Sequence, residues 1–525
     1  MQIQQQDWAA RWALYAPDRP ALKEFETGRT YTYLELNRLG NRLAHHLTGV
    51  LGLRSGDRIA VLAENCLEYL ALFVAAQKTG LILVPLNYRL AASEIDYLIG
   101  NSTPSLLITE EKFQHLLPDA PTSGIMPNHW SLMALSQFCA PEIERPEDQN
   151  FPITVVEEDH PIFILYTSGT TGFPKGALYT HKMLFWNSIN TAMSLIINSE
   201  SRTINCMPPF HTGGWNVLTL PFLHHGGYTC MMKKFDPAAV LTALESERCT
   251  LFMGVPTMLK MIAELPDFQT ADFSNLYYLI VGGEPMPIPL IEQWHAKNVP
   301  IRQGYGMTEV GPNLTSLHQR DAIRKKGSIG RPNFYVEIKI VDEKGEPVAP
   351  NQPGELLLRG PMVTPGYWQN EAATRAAFGG VLSGVEAGVL SGVEAGVLSG
   401  VEAWFYTGDL VRQDEDAYIY VVDRIKNMFI SGGENVYPAE VERVLVTHPG
   451  VAEAAVIGIP DAKWGESGKA FVVCKKESTV SEGELITHCE KHLAKFKIPK
   501  SIVFIEALPK NDTGKINRMA LKIPT

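Results

Sequence analysis

Phe163-Ile164-Leu165-Tyr166-Thr167-Ser168-Gly169-Thr170-Thr171-Gly172-Phe173-Pro174-Lys175-Gly176 joins an apolar run to a loop of glycines and hydroxyls that closes on one lysine. The run predicts a buried strand, and the loop predicts a cradle for a polyphosphate. Glycines let several backbone N–H groups turn towards one anion, hydroxyls add donors, and Lys175 adds charge. Thr180 then stands as the cap of a helix starting near His181. The P-loop of NTPases ends in Gly-Lys-Ser/Thr; here Pro174 precedes Lys175 and Gly176 follows it, so that motif is absent.

Upstream, short apolar runs alternate with helical patterns. Arg58–Leu62, Leu81–Leu86 and Ser105–Thr109 read as strands, Leu67–Ala76 as a helix and Ser93–Ile99 as a capped helix, which is the βαβ pattern of a parallel sheet. Downstream, Tyr278–Val281 reads as a strand ending in Gly282-Gly283-Glu284-Pro285, where a glycine pair permits close approach of a flat base. In Gln303-Gly304-Tyr305-Gly306-Met307-Thr308-Glu309, Tyr305 offers a stacking face, Thr308 a hydroxyl for phosphate and Glu309 a hard oxygen for magnesium. In Tyr406-Thr407-Gly408-Asp409-Leu410, Asp409 can accept hydrogen bonds from both hydroxyls of a ribose.

The string Tyr-Thr-Ser-Gly-Thr-Thr-Gly-x-Pro-Lys-Gly resembles the signature of the adenylate-forming superfamily, which includes acyl-CoA synthetases, peptide-synthetase adenylation domains and luciferases. Gly-Tyr-Gly-Met-Thr-Glu, Tyr-Thr-Gly-Asp-Leu, Asp423-Arg424-Ile425-Lys426 and Asn511-Asp512-Thr513-Gly514-Lys515 follow in that family's order. The resemblance implies ATP or AMP contacts at Thr167, Ser168, Gly169, Thr170, Thr171, Gly172, Lys175, Gly283, Glu284, Gln303, Gly304, Tyr305, Gly306, Met307, Thr308, Asp409, Arg424 and Lys515. It implies an acyl pocket at His211, Gly213, Gly214, Trp215 and Gly306, with Val255 and Met258 adding apolar lining. Mg²⁺ would sit at Thr167 and Glu309, coenzyme A near Lys234, Gly432 and Gly433, and the hinge at Lys426. Lys515, Glu309, Thr308 and His211 form the implied catalytic set.

The implied fold is α/β: a large N-terminal domain, residues 1–426, with parallel sheets flanked by helices and a β-rich subdomain, and a small mobile C-terminal domain, residues 427–525. In the latter, strands are expected at Ala454–Ile459, Ala470–Cys474 and Ile502–Ile505 around a helix Glu482–His492 capped by Ser481. Residues 380–403 are three tandem copies of Gly-Val-Leu-Ser-Gly-Val-Glu-Ala. A glycine every fourth residue opposes a helix, and three short units are too few for a solenoid. The array reads as an exposed loop, where family members have only a few residues.

Composition narrows the function further. Net charge is −11, which argues against a nucleic-acid partner. From Asn427 to Thr525 thirteen Lys and Arg face twelve Asp and Glu, so the acidity belongs to the body before that tail. The seven cysteines are scattered without a Cys-x-x-Cys pair, which suits reduced thiols in a cytoplasm. No signal peptide and no membrane-spanning run stands out. The expected activity is an ATP-dependent acyl-CoA synthetase that forms an acyl-AMP with release of pyrophosphate and passes the acyl group to coenzyme A. The acid is expected to be a medium or long fatty acid, with an aryl acid, a carrier-protein acceptor and a non-catalytic nucleotide-binding protein as alternatives. A homodimer is the open assembly state.

Overall fold

The computed structural model describes residues 7–117, 127–140, 145–167, 174–283, 286–379, 403–431, 434–461, 464–476, 478–510 and 515–522. They divide into two compact units, one built from Met1–Ile338 with the segment after Leu358, the other from Lys339–Leu357 and Tyr406–Thr525.

The first unit contains a six-stranded sheet in the order Asn128–Ser131, Leu106–Thr109, Arg58–Leu62, Ile82–Pro85, Pro161–Thr167, Lys175–Thr180. Its strands are parallel except for the last pair, an antiparallel hairpin in which Thr167 lies opposite Lys175. The expected strand before the phosphate loop is therefore present, and the chain returns beside it as a second strand. Helix Leu67–Thr79 is buried along every face, which explains its nearly continuous apolar sequence. Its charged residues are paired: Glu68 with Arg29 at 2.7 Å, and Lys78 with Asp7 and with Asn37 at 2.9 Å, as burial of charge requires.

A five-stranded sheet runs Leu251–Gly254, Tyr278–Val281, Ile301–Tyr305, Thr315–Ser316, Arg331–Pro332, parallel for the first three. A four-stranded sheet joins the N-terminal strands Pro20–Glu24 and Thr30–Thr32 to Tyr228–Met231 and Arg202–Asn205. Helix His181–Leu195 begins where the sequence predicts, with Thr180 Oγ1 accepting from the Met183 N–H at 3.2 Å.

The second unit has one sheet of Glu337–Val341, Gly354–Arg359, Phe405–Gln413 and Ile419–Arg424, and another in the order Glu434–Val436, Phe429–Ser431, Gly465–Cys474, Val451–Asp461, with Ser501–Phe504 parallel to Gly465–Cys474. Helices Pro438–Val446 and Glu482–His492 pack on this second sheet around Val441, Leu445, Val456, Val472, Leu485 and Cys489. Ser481 caps the latter helix in a capping box with Glu484. The octapeptide array, apart from Ala403, lies outside the described residues. All seven cysteines are unbonded. No helix among the described residues is long and apolar enough to cross a membrane.

Candidate active site

The phosphate-loop hairpin fixes the two ends of the loop and sets Thr167 beside Lys175. Thr167 Oγ1 lies 3.4 Å from the Lys175 carbonyl and 3.3 Å from Glu309 Oε1. The calls on Ser168, Gly169, Thr170, Thr171 and Gly172 fall outside the described residues. Gly176 admits no side chain, since a Cβ there would lie 2.6 Å from Ile164 Cγ2. One strand residue earlier than Thr167, Tyr166 donates to Asn101 Oδ1 at 2.6 Å.

Glu309 comes from the neighbouring sheet. Strand Ile301–Tyr305 places Gln303, Gly304 and Tyr305 at its carboxyl end, and the short turn Thr308–Val310 follows. Gln303 and Glu309 are buried, whereas Gly304, Tyr305, Gly306, Met307 and Thr308 are half-buried. Gly306, expected to leave room for an acyl group, is packed tightly against the chain's own backbone on its Cβ side. A Cβ there would lie 2.6 Å from Pro312 Cα and closer still to the Pro312 carbonyl, so the glycine is required by the chain's own backbone. At the end of strand Tyr278–Val281, Gly283 adopts φ +86°, a left-handed conformation that favours glycine. Glu284 lies outside the described residues.

Sequence reasoning passed over Tyr367. Its hydroxyl donates to Glu309 Oε1 at 3.0 Å, and the Thr364 N–H donates to the Glu309 carbonyl at 2.7 Å. Burial, with the Glu309 charge adding to it, raises the phenol pKa and keeps Tyr367 a donor. The ammonium of Lys175 lies 5.7 Å from the centre of the same ring. The available signal was a glycine between a proline and two aromatics, Pro365-Gly366-Tyr367-Trp368, which marks a special backbone site but not its partner. Among the described residues no group of three or more His, Cys, Asp or Glu could hold a metal. A cation here would lean on one protein carboxylate and on substrate phosphates, which is how magnesium is commonly bound.

The expected acyl segment divides in two. His211 is half-buried, its ring centre 4.6 Å from that of Phe210, and Phe210 meets Tyr88 edge-on at 5.0 Å. Trp215 is different: it is 2% exposed, packs on Tyr69 and Phe163 at 5.1 and 5.2 Å, and its indole N–H donates to the Pro209 carbonyl at 2.6 Å. It packs in the core cluster with Tyr69, Phe73 and Phe163. A Cβ at Gly214 would lie 2.5 Å from the Pro208 carbonyl oxygen. Gly213 does leave space, with Met207 Cε nearest at 3.5 Å. Met258 is buried and Val255 half-buried, both in the cluster around Leu259 and Phe252. Lys234 is exposed.

In the second unit Asp409 and Arg424 are cross-strand partners, with Arg424 Nε 2.8 Å from Asp409 Oδ1. The carboxylate is 5% exposed and the arginine 45%, so the pair opens outward through its cation. Gly408, at φ +68°, donates its N–H to Glu355 Oε1 at 3.1 Å. Burial and the Asp409 charge push the Glu355 carboxyl pKa up. Lys426 is exposed at its surface, yet desolvation of its ammonium, then the charge of Arg424, lowers its pKa, with Lys515 and Arg518 adding to this and Asp409 opposing it. Arg518 is itself held by Glu442 at 2.7 and 2.8 Å. This unit thus brings Asp409, Arg424, Lys426 and the exposed Lys515 within electrostatic range of one another. Gly432 and Gly433 lie outside the described residues.

Residues 9–368 match the family model for an AMP-binding enzyme, and residues 440–515 that for an AMP-binding enzyme C-terminal domain. A feruloyl-CoA synthase from Amycolatopsis sp is 38% identical over 509 residues, covering 97% of this chain and 96% of that protein. The long-chain-fatty-acid–CoA ligase FadD13 of Mycobacterium tuberculosis is 35% identical over 511 residues, with 97% and 96% covered. Among solved structures, o-succinylbenzoate CoA synthetase (MenE) from Bacillus subtilis with its acyl-adenylate intermediate superposes with a TM-score of 0.83 at 30% identity, covering 99% of each chain. The same enzyme with ATP and magnesium ion gives 0.82 at 29% identity, covering 98% of this chain and 99% of that one.

Proposed function

The chain belongs to the AMP-binding enzyme family and is an AMP-forming acid–thiol ligase, and we propose that it joins an aromatic carboxylic acid to coenzyme A through an acyl-adenylate. The observation that carries the active-site reading is the meeting of Thr167 and Glu309 at 3.3 Å. The end of the phosphate cradle and the buried carboxylate come from different sheets and converge on one place. ATP lies there with its phosphates towards Thr167 and Lys175 and its base against Gly283 and Tyr305. The donor set fits magnesium: the Glu309 carboxylate is a hard ligand with Oε1 held by hydroxyls, and Glu309 and Thr167 would hold the ion together with substrate phosphates. When bound, the ion supplies charge neutralisation on the phosphate oxygens.

A carboxylate oxygen of the acid attacks the α-phosphorus, the bond to pyrophosphate breaks, and the acyl-adenylate remains. Protein work in this step is positioning and charge stabilisation. Lys515 neutralises charge at the α-phosphate, and Asp409 accepts from the ribose hydroxyls with Arg424 beside it. For the second step residues 427–525 turn about Lys426, with Gly432 and Gly433 as the proposed contacts of the thiol. The thiol loses its proton, its sulfur attacks the acyl carbon, and AMP leaves. Coenzyme A as acceptor is supported by relatives named as a CoA synthase and as CoA ligases. Seven unbonded thiols suit a cytoplasmic setting.

The aromatic acid is favoured by what stands near His211. Phe210 and Tyr88 offer ring faces and edges. A relative named for feruloyl-CoA points the same way. A fatty acid is the second reading, carried by the 35% identity to FadD13. Pyrophosphate release with coenzyme A across hydroxycinnamic, arylacetic and C8–C16 fatty acids separates them. Aromatic acids are expected to give the higher kcat/KM by about tenfold, the size of one well-filled apolar contact. A preference of that size for fatty acids would replace the first reading by the second.

A further inference from the structure

The segment Thr364–Trp368 acts as a strap across the phosphate-loop hairpin. Thr364 Oγ1 donates to the Leu178 carbonyl at 2.7 Å, the Leu178 N–H to the Gly366 carbonyl at 3.1 Å, and the Trp368 N–H to the Gly176 carbonyl at 2.7 Å. Trp368 Nε1 also reaches the Asn101 carbonyl at 3.1 Å. At the middle of this strap the Tyr367 N–H is held by Thr374 Oγ1 at 2.9 Å, and the backbone forms a bridge with Ala177. The phenol therefore projects from a fixed base, and its hydroxyl meets Glu309 Oε1 at 3.0 Å.

We propose that Tyr367 is a positioning residue for the Glu309 carboxylate: together with Thr167 it pins Oε1 and so presents Oε2 to the divalent cation. The inference rests on the reading of Glu309 as the cation's carboxylate. A carboxylate on a short side chain turns freely about its last bond unless one oxygen is held. Two hydroxyls, at 3.0 and 3.3 Å, converge on the same oxygen, and no described residue hydrogen-bonds Oε2. Magnesium demands near-ideal octahedral geometry, so a pre-aimed oxygen matters more for it than for a permissive ion. The Glu309 backbone is held as well, through the Thr364 N–H. One ring thus ties the metal carboxylate to the hairpin that carries the phosphate cradle, with the Lys175 ammonium over its face at 5.7 Å.

Tyr367→Phe keeps the ring, its packing and the Lys175 contact, and removes only the hydroxyl. The full-length wild type, Tyr367→Phe and Glu309→Gln are titrated with Mn²⁺ by electron paramagnetic resonance in the presence of α,β-methylene-ATP, and their metal-free thermal midpoints are recorded. Loss of a group that orients a metal ligand costs about 10–100-fold in affinity. Tyr367→Phe is expected to weaken Mn²⁺ by at least about tenfold with a midpoint within about 2 °C of wild type, and to raise the KM for Mg²⁺ more than it lowers kcat. Mn²⁺ affinity within twofold of wild type in Tyr367→Phe, while Glu309→Gln is weakened, overturns the positioning role alone. Affinity within twofold in Glu309→Gln overturns the metal reading of Glu309 and this inference with it. A weakened Tyr367→Phe whose midpoint falls by more than about 5 °C overturns it in favour of a merely structural tyrosine.

Discussion

Replacing Gly306 by alanine separates two reasons for a glycine at that position. A glycine that makes room for an acyl chain would tolerate alanine with small acids and fail only with large ones. In the structure the added Cβ would lie 2.6 Å from Pro312 Cα, about 1 Å inside the ordinary carbon–carbon contact of roughly 3.5–4.0 Å. Pro312 has little freedom to yield. Its neighbour Asn313 is tied to Thr191 Oγ1 at 2.6 Å and to the Val217 carbonyl at 3.1 Å, and the Leu314 N–H to the Tyr305 carbonyl at 3.0 Å. The shift must then be taken by the turn that ends in Glu309. Overpacking against backbone costs about 3 kcal/mol, the upper part of the range for such changes, or roughly 5 °C in thermal midpoint for a unit of this size. Displacing a reacting group by about 1 Å costs about 100-fold in rate. The assay is acid-dependent pyrophosphate release with benzoate and with palmitate, alongside the midpoint. Gly306→Ala is expected to lose about 100-fold in kcat/KM with both acids. Wild-type turnover of benzoate combined with loss of palmitate would refute the steric argument and restore the reading of Gly306 as pocket depth.

Asp409→Ala removes the inner member of an ion pair whose arginine is 45% exposed, so stability should change by less than about 1 kcal/mol. The KM for ATP should rise about tenfold or more as the ribose loses a charged acceptor, and an unchanged KM would deny Asp409 that role. Lys515→Ala is expected to abolish adenylate formation while sparing thioester formation from supplied acyl-adenylate; equal loss of both half-reactions, measured separately, would end that division of labour. Burial holds His181 and His224 at pKa values of about 3, against about 6.5 when unfolded. The folded chain keeps both neutral while the unfolded chain takes up protons, so their contribution is complete above pH 6.5 and is lost as pH falls towards 3. At pH 5.5 each has cost on the order of 1 kcal/mol of that stability. His181→Leu should therefore show a smaller drop in thermal midpoint between pH 7.5 and 5.5 than wild type, and an equal or larger drop would contradict the assignment.

Local signals were legible in the sequence, and partners distant in the chain were not. Thr180 and Ser481 announce their helices because a cap depends on residues three positions away, and both caps are present. Strands Arg58–Leu62 and Tyr278–Val281 fall where their apolar runs end. The return strand Lys175–Thr180 escaped notice because its first residues, a lysine and a glycine, look like loop, and its pairing with Pro161–Thr167 is what makes it a strand. Trp215 and Gly214 sit in a motif flagged for substrate contact. Their surroundings are set by Tyr69, Phe163 and Pro208, which no local pattern links to them. Tyr367 stands 58 residues from Glu309, and only the strap over the hairpin brings the two together. The N-terminal strands Pro20–Glu24 and Thr30–Thr32 are short and pair with Tyr228–Met231 or each other, so their sheet emerges only in three dimensions.

An acid-dependent exchange of labelled pyrophosphate into ATP, measured without coenzyme A and then chased with it, tests the two-step ligase most directly. Exchange that requires both the acid and a divalent cation, followed by conversion of the bound acyl-adenylate to acyl-CoA and AMP on the chase, is the predicted result. Absence of exchange with every acid that supports acyl-CoA formation, or formation of ADP in place of AMP, would contradict it.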